Sequence, residues 1–340
     1  MPEVSLIYPV NTLVSFHYFR TIDIEEMKGW GLRMIGDSGA FSAMSTGTPI
    51  SLSEFAEWAE RWQSSLCWVA SLDVIGDADG SWRNFEALRA RGLDVIPTVH
   101  YGADPSALDR YAAEGVDFVG LGGMVGRKSE PQRLLRWCLS MMRHARTHHP
   151  EMRFHGWGVT HPELITALPW YSVDSSGFSA CYRFGRLRLF DPSSGKNVQV
   201  DLDGKQIYKH GELLRRVYGV EPSSVAVSNR DTRRDLVRLS IAAVQKTEIY
   251  LRRRHGAISA PRYGITSSED GGHIHAALGF PGAQATTSVS PTDRAPGPAI
   301  HAAITSPLTE VPFLRDDGPH IHAAQTWVGD HEYLSRRASS

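Results

Sequence analysis

Three aspartates end short apolar runs in this sequence. They are Asp37 in LRMIGD, Asp73 in CWVASLD and Asp174 in WYSVD. Runs of this kind are typical of buried parallel strands, and α/β barrel enzymes hold their chemistry at the carboxyl ends of such strands. We therefore expect the three carboxylates to converge on one site. Grouped carboxylates can exchange a proton with a substrate or attack an anomeric carbon to form a covalent glycosyl intermediate.

Small, aromatic and histidine residues follow Asp37 or stand at the ends of further apolar runs. They are Ser38, Gly39, Phe41, His100, Gly122, Gly123 and His155. Paired glycines at a strand end would let a flat ligand rest against the main chain. A planar ligand that is flanked by an aromatic ring and hydrogen-bonded to carboxylates suggests a nucleobase. The sequence therefore predicts a nucleobase site, although each acid taken alone is more often a loop-capping residue.

The elements that must position these residues alternate along the chain. Apolar runs and helical segments follow one another at intervals of roughly 22 to 30 residues, which predicts parallel strands joined by helical crossovers. One helix is clear where Phe55, Trp58 and Trp62 recur at helical spacing after an N-cap serine. Six or seven such units favour an α/β fold of the (β/α)8 TIM-barrel type. A doubly wound sheet is the alternative, but no GxGxxG fingerprint follows the first strand.

The alternation ends after Asp174. The segment RFGRLRLFDPSSGKNVQVDLDGKQIY has alternating apolar residues around a DPSSGK turn and predicts an inserted β-hairpin, and a long basic helix is expected over residues 232–254. From Gly256 onward the composition shifts to Pro, Gly, Ser, Thr and Ala without periodicity. We therefore expect a barrel domain over residues 1–255 and a disordered, low-complexity tail over residues 256–340. Within this tail the peptide HIHAAL at 273 is echoed as AIHAAI at 299 and HIHAAQ at 320.

Charge and cysteine content limit the class of protein. The 340 residues carry a formal net charge of −1, but residues 205–254 contain twelve Lys or Arg against five Asp or Glu. Such a basic block is typical of a surface that binds phosphates, although solvated helices often carry as much charge. The lack of long apolar runs and of a secretory signal predicts a cytoplasmic protein with no membrane partner. The three widely spaced cysteines are expected to be reduced.

Five segments taken together resemble a known family. In chain order, DSGAFS at 37–42, SLD at 71–73, GLGGMVG at 120–126, HGWGVTHPELI at 155–165 and YSVDSS at 171–176 look like the strand-end motifs of tRNA-guanine transglycosylases. The resemblance covers about residues 13–200, and the ordered set is more specific than any one motif. It implies a (β/α)8 barrel that exchanges a guanine base in a nucleic acid for another base, with no cofactor and no catalytic metal.

The resemblance also implies a role for each matched residue. Asp174 would be the nucleophile that attacks C1′ of the target guanosine, and Asp37 would handle the proton as bases leave and enter. Asp73 would accept hydrogen bonds from N1–H and the exocyclic amine of the base, while Phe41 would stack on one of its faces. The remaining base-binding residues would be Ser38, Gly39, His100, Gly122, Gly123 and His155. Of these, the paired glycines would let main-chain groups reach O6.

Departures from the family pattern favour DNA as the polymer. The sequence lacks the cluster of three cysteines and one histidine that holds a structural zinc in the tRNA-acting members, and it has His100 and His155 where they have Gln and Met. Such a chain is closer in character to the DNA 7-deazaguanine transglycosylases of phage and bacterial DNA-modification systems. These enzymes exchange guanine in DNA for a 7-deazaguanine such as 7-cyano-7-deazaguanine (preQ0). The phosphate contacts would come from Arg183, Arg186, Arg188, Arg233 and Arg234.

Three alternatives stay open. A divergent tRNA-guanine transglycosylase of the queuine type would use the same residues on tRNA. A barrel that binds nucleic acid or a deazapurine without catalysis, as a partner subunit, would have no reason to keep a nucleophile. The oligomeric state is also open, because members of the family it resembles often pair, which would make a homodimer. An unrelated barrel hydrolase that acts on a nucleoside or sugar would account for the carboxylates but not for the paired glycines.

Overall fold

The computed structural model describes residues 4–125, 130–202, 205–227, 232–266 and 269–278. Its strands are β1 (Val10–Ser15), β2 (Leu32–Asp37), β3 (Thr98–His100), β4 (Phe118–Gly122), β5 (Arg153–Gly156), β6 (Ser172–Ser175), β7 (Arg186–Asp191), β8 (Lys196–Asp201) and β9 (His273–Leu278). Seven of them form one curled parallel sheet in the order β2-β1-β9-β6-β5-β4-β3. The predicted α/β class with parallel strands is therefore confirmed.

Most connections between the parallel strands contain helices. The helices are α1 (Phe16–Phe19), α2 (Ile24–Gly29), α3 (Ala40–Thr46), α4 (Leu52–Trp62), α5 (Ala78–Ala90), α6 (Ala107–Ala113), α7 (Pro131–His148), α8 (Pro162–Ala167), α9 (Ala180–Phe184), α10 (Gln206–Lys209), α11 (Gly211–Leu213) and α12 (Arg233–His255). Within the described ranges, no helix combines the length and the apolar character needed to cross a bilayer.

The chain between α4 and α5 bonds to the edge strand β2 on one side and to the residues just before the edge strand β3 on the other. Gly36 in β2 pairs in parallel with Val69, and Ala70 pairs in parallel with Ile96, two residues before β3. The main chain exchanges hydrogen bonds on both sides, from Gly36 N to the Trp68 carbonyl at 2.9 Å and from Ile96 N to the Val69 carbonyl at 2.8 Å. The strand predicted from the apolar run CWVASLD is therefore present only as two isolated bridges.

Apolar side chains pack on both faces of the sheet. On the outside, α4 buries Phe55, Trp58 and Trp62 as its spacing predicted, and the Ser51 hydroxyl accepts a hydrogen bond from Glu54 N at its amino end. On the inside, a second cluster consists of side chains from successive strands and the segments beside them, namely Leu13, Ile35, Trp68, Ile96, Phe118 and Tyr171. The strands are therefore buried on both faces, which explains why they appear as continuous apolar runs.

The strand β9 corrects the predicted boundary at residue 255. It lies between β1 and β6, with Thr12 paired to Ala276 and Asp174 paired to His275. Its sequence, HIHAAL, alternates polar and apolar residues and follows a Gly-rich stretch, so it resembled the low-complexity sequence around it. The domain therefore extends at least to Leu278, and the expectation of a tail from residue 256 is wrong for this segment. The rest of the predicted tail, with both echoes of the peptide, lies outside the described residues.

Beyond β6 the chain adds two further features to the sheet. Strands β7 and β8 pair antiparallel over residues 186–191 and 196–201 and pack on α12, where the rings of Phe190 and Tyr250 lie 5.3 Å apart. The long basic helix predicted for this part of the chain is confirmed as α12. Its basic residues are not all on the surface, because Arg238 is buried and donates to the Val4 carbonyl at 2.9 Å. All three cysteines are free.

Candidate active site

The three predicted acids lie at the carboxyl ends of parallel segments of the sheet. Asp37 is the last residue of β2, Asp174 is the third residue of β6, and Asp73 follows the bridge at Ala70. They are close enough for their charges to interact. Burial, followed by the charges of Asp73 and Asp174, raises the pKa of Asp37 to about 7, against an ordinary value of 3.8. The predicted convergence of these carboxylates therefore agrees with the electrostatics of the site.

Asp37 begins a tight turn into α3 that uses Ser38 and Gly39. The Asp37 carboxylate accepts a hydrogen bond from Gly39 N at 3.0 Å, and the buried Ser38 hydroxyl accepts one from Ala40 N at 3.3 Å. Gly39 has φ of 76°, and a Cβ at this position would overlap Ser15 and His17. This turn therefore requires glycine at position 39. It also places the half-buried Phe41 one residue into α3.

Asp174 is held by a main-chain donor and by a buried histidine. Its Oδ1 accepts a hydrogen bond from Gly158 N at 2.7 Å and lies 3.4 Å from Nε2 of His155. Burial lowers the pKa of His155, and the opposing effect of Asp174 is smaller, so the ring is neutral near pH 7. The Nδ1 atom of His155 lies 2.7 Å from the Ser172 hydroxyl. A proton on Nε2 would therefore face Asp174 while Nδ1 accepts from Ser172.

Asp73 is paired with His100. Nε2 of His100 lies 2.7 Å from Oδ2 of Asp73, and their side chains are 20% and 17% exposed. The structure thus brings two predicted base-binding residues together, with His100 at the end of β3 and Asp73 just after the bridge at Ala70. A ligand that binds here would therefore find one carboxylate oxygen of Asp73 already in contact with the His100 imidazole.

The glycines of β4 lie beneath a tryptophan that was not among the predicted site residues. A Cβ at Gly122 would come within 2.9 Å of Thr98 Cγ2 and 3.4 Å of Trp157 Cδ1, and a Cβ at Gly120 would overlap the Trp157 indole. The indole Nε1 donates to the Thr98 hydroxyl at 3.0 Å. Side chains of the protein therefore fill the space above Gly122. Contact between a base and the main chain at Gly122 and Gly123 stays a prediction.

Two further histidines near the acids were also missed from the sequence. His17 is the second residue of α1, the helix that directly follows β1. Its Cβ lies beside Gly39 in the turn after Asp37. His275 pairs in register with Asp174, is buried, and has its ring 6.3 Å from that of His155. His17 ends the first apolar run, which is a signal of the same kind as the one that identified the acids. His275 gave no such signal, because its segment was assigned to the tail.

The predicted phosphate-binding arginines have different surroundings. Arg186 is exposed and lies 3.7 Å from Asp201 across the β7–β8 pair, and Arg233 is exposed at the start of α12 together with Arg234. Arg188 is half-buried and donates to the Thr160 carbonyl at 3.1 Å, so it helps to hold β7 against the loop after β5. Burial lowers the pKa of Arg188. Arg183 belongs to α9, and its side chain is outside the described structure.

The geometry allows acid–base chemistry beside a positioned carboxylate. A carboxyl group with a pKa near 7 can both give and take a proton close to neutral pH, which suits a general acid–base catalyst. Asp174 has one oxygen oriented by Gly158 and His155, as a nucleophile would require. Within the described residues, the one group of side chains spaced to hold a metal ion is Asp109, His144 and His149, on α6 and at the end of α7.

Comparisons with known proteins do not assign the chain to a family. No protein-family model matches the sequence, and no curated protein is significantly similar to it. The argument for a function therefore rests on the residues and geometry of this site.

Proposed function

We propose that this protein is a guanine transglycosylase that exchanges a guanine base in DNA for a 7-deazaguanine derivative. The observation that carries the proposal is the grouping of Asp37, Asp73 and Asp174, whose mutual charges, together with burial, raise the pKa of Asp37 to about 7. Base exchange needs a proton donor and acceptor beside a nucleophilic carboxylate, and this cluster offers both. The ordered motifs from Asp37 to Asp174 match the same chemistry by resemblance.

The proposed scaffold is a (β/α)8 barrel. The seven parallel strands and the bridges at Gly36–Val69 and Ala70–Ile96 support it, because the bridged segment supplies an eighth strand position between β2 and β3. Eight parallel strand positions would close the sheet on itself, with the inner apolar cluster filling the barrel interior. The carboxylates then lie at the end of the barrel where such enzymes carry out their reactions.

The reaction would proceed in two displacements at the same carbon. In the first, an Asp174 oxygen bonds to C1′ of the flipped-out nucleotide and the C1′–N9 bond breaks, while protonated Asp37 gives its proton to the departing guanine. In the second, Asp37 takes the N9 proton of the incoming 7-deazaguanine, whose N9 attacks C1′ and releases Asp174. Each bond and proton is restored at the end, so the exchange needs no cofactor.

The surrounding residues would position the base and the nucleophile. His100 orients one oxygen of Asp73, which leaves the other for N1–H and the exocyclic amine of the base. Neutral His155 and Gly158 N hold Asp174 in place without neutralising it. Phe41 would stack on the base from the start of α3.

DNA is favoured over tRNA because the sequence has no cysteine cluster like the one that holds zinc in the tRNA-acting enzymes. The exposed Arg186 and Arg233 would contact phosphates, and the protein would work alone, as a homodimer, or with a partner subunit. A queuine-type exchange on tRNA is the second candidate, since the same acids would serve it. Binding of nucleic acid without catalysis is the third.

The test is incorporation of radiolabelled guanine into duplex DNA, single-stranded DNA and bulk tRNA by the purified protein. We expect label in DNA, none in tRNA, and none in any polymer with the Asp174→Asn variant. Asp79→Asn, which changes an exposed acid on α5, is the matched control and should act like the wild type. Label in tRNA alone would move the assignment to the second candidate. Label in no polymer would support the third.

A further inference from the structure

A separate cluster of polar side chains lies between α6 and the end of α7. Asp109 is in the first turn of α6, His144 is in the last third of α7, and His149 directly follows that helix. Nε2 of His144 and Nε2 of His149 lie 2.7 and 2.6 Å from the same Oδ1 atom of Asp109. Two imidazoles from one segment thus converge on a single carboxylate oxygen from another helix.

The spacing of these atoms suits a metal ion. The three potential ligand atoms lie within 4.8 Å of one another. A Zn²⁺ ion bound at about 2.0 to 2.2 Å by imidazole nitrogen and carboxylate oxygen holds its ligand atoms about 3 to 4 Å apart. A small outward movement of the two rings would therefore admit an ion between them and Asp109, in place of the present hydrogen bonds.

The local sequence explains why both rings reach the same point. The segment from His144 to His149 has the sequence HARTHH. Ala145 is buried, so its face of α7 packs on the protein, and the histidines lie at the edge of that face. The side chains of His144 and His149 are 19% and 25% exposed, and that of Asp109 is 48% exposed. An ion could therefore enter from solvent. The partial negative charge at the carboxyl end of α7 would favour a cation there.

His148 offers an additional donor. It is exposed, follows His144 by one helical turn, and its ring lies 4.5 Å from that of His144. Histidines spaced by four residues on a helix can bind one metal ion together.

We infer that Asp109, His144 and His149 form a binding site for a divalent transition-metal ion, with Zn²⁺ the best match, that fastens α6 to α7. Two nitrogen donors and one carboxylate favour Zn²⁺ over Mg²⁺ and Ca²⁺, which prefer all-oxygen sites. Three protein ligands leave a fourth position, which water or His148 fills. The site is independent of the base-exchange proposal, because it uses none of the strand-end residues.

The test is Zn²⁺ binding to the full chain without a histidine tag, measured by competition with a chromophoric chelator. We expect one Zn²⁺ per chain in the wild type, and affinity lowered at least about tenfold in Asp109→Asn and in His149→Gln, because each change removes a metal ligand. His210→Gln, a half-buried histidine near α10, is the matched control and should bind like the wild type.

A second measurement distinguishes the loss of a metal ligand from a loss of folded structure in the variants. Zn²⁺ should raise the thermal midpoint of the wild type and of His210→Gln, because a ligand that binds only the folded state stabilises it, and it should leave that of Asp109→Asn unchanged. Equal Zn²⁺ affinity in the wild type and in folded Asp109→Asn and His149→Gln would overturn the inference. Circular dichroism establishes folding, and if His149→Gln fails to fold, the exposed and conservative Asp109→Asn decides the outcome.

Discussion

At the scale of single residues, the site depends on how each acid is surrounded. Asp37 is half-buried near two other acids, whereas Asp73 has an imidazole partner and Asp174 has a main-chain donor. Three chemically identical side chains therefore receive three different environments. In the proposed mechanism, this difference would allow one acid to carry a proton near pH 7 while another acts as a nucleophile.

The first prediction concerns Asp37 and the pH dependence of stability. The folded protein keeps the Asp37 proton up to about pH 7, but the unfolded chain loses it near its ordinary value of 3.8. The folded state thus binds more protons between these pH values, and the free energy of unfolding falls as pH rises from about 4 to about 7. Asp37→Asn should remove this fall. As pH rises from 5 to 8, the free energy of unfolding of the variant should therefore gain roughly 2 to 3 kcal/mol relative to that of the wild type.

Urea unfolding of the wild type and the variant at pH 5 and at pH 8 measures this gain. Asp79→Asn is again the control, because its exposed carboxylate should change stability by the same small amount at either pH. A pH profile of Asp37→Asn that runs parallel to that of the wild type would mean that Asp37 is ionised in the folded protein at pH 5.

The second prediction concerns the packing of Trp157 on β4. A Cβ at Gly120 would overlap the indole, so Gly120→Ala should displace the ring, break its hydrogen bond to Thr98 and cost about 1 to 3 kcal/mol of stability. Gly29→Ala is the matched control, because nothing lies within 4 Å of a Cβ at this helical glycine. Denaturant unfolding and near-ultraviolet circular dichroism measure the two effects. Equal stability of the two variants would refute the tight packing.

At the scale of elements, β9 is held in the sheet by buried polar groups as well as by strand pairing. The Glu248 carboxylate on α12 accepts hydrogen bonds from Ile274 N at 2.7 Å and from the Asn11 side chain at 2.6 Å. Nδ1 of His273 accepts from Arg33 and from Arg252, each at 2.9 Å. These contacts lie at the amino ends of the strands, opposite the acids, where barrel proteins place residues that serve stability.

The third prediction follows from this position of β9. A chain that ends at residue 256 lacks β9, so β1 and β6 lose their shared neighbour and Glu248 is left buried with fewer donors. We expect this truncation to lose cooperative thermal unfolding. A chain that ends at residue 285 keeps β9 and should unfold cooperatively like the full chain. A cooperative transition in the shorter chain would show that β9 is dispensable.

At the scale of the whole molecule, much of the architecture was predictable and some of the site was not. Asp37, Asp73 and Asp174 could be identified because each ends an apolar run long enough to signal a strand. The contact between His155 and Asp174 joins two strands, and no local pattern specifies which side chains meet across a sheet. His275 was hidden because its strand pairs with β1, more than 250 residues away in sequence, and has no apolar run of its own.

The fourth prediction concerns the charge of the whole surface. A protein of net charge −1 would have to bind DNA through local basic patches, so removing one proposed phosphate contact should matter. Arg233→Ala should weaken DNA binding and reduce the slope of log affinity against log salt by about 0.9. Arg91→Ala makes the same charge change at a residue paired with Glu60 and serves as the control. Equal slopes in the two variants would remove α12 from the DNA surface.

The most direct test of the central claim is to capture the bond between Asp174 and the sugar. The wild type is incubated with end-labelled DNA, quenched in acid, and resolved on a denaturing gel, and the adduct is mapped by peptide mass spectrometry. We expect a covalent complex on the peptide that contains Asp174, and none with Asp174→Asn, whose circular dichroism should match the wild type. An adduct on another residue, or base exchange by folded Asp174→Asn at the wild-type rate, would contradict the mechanism.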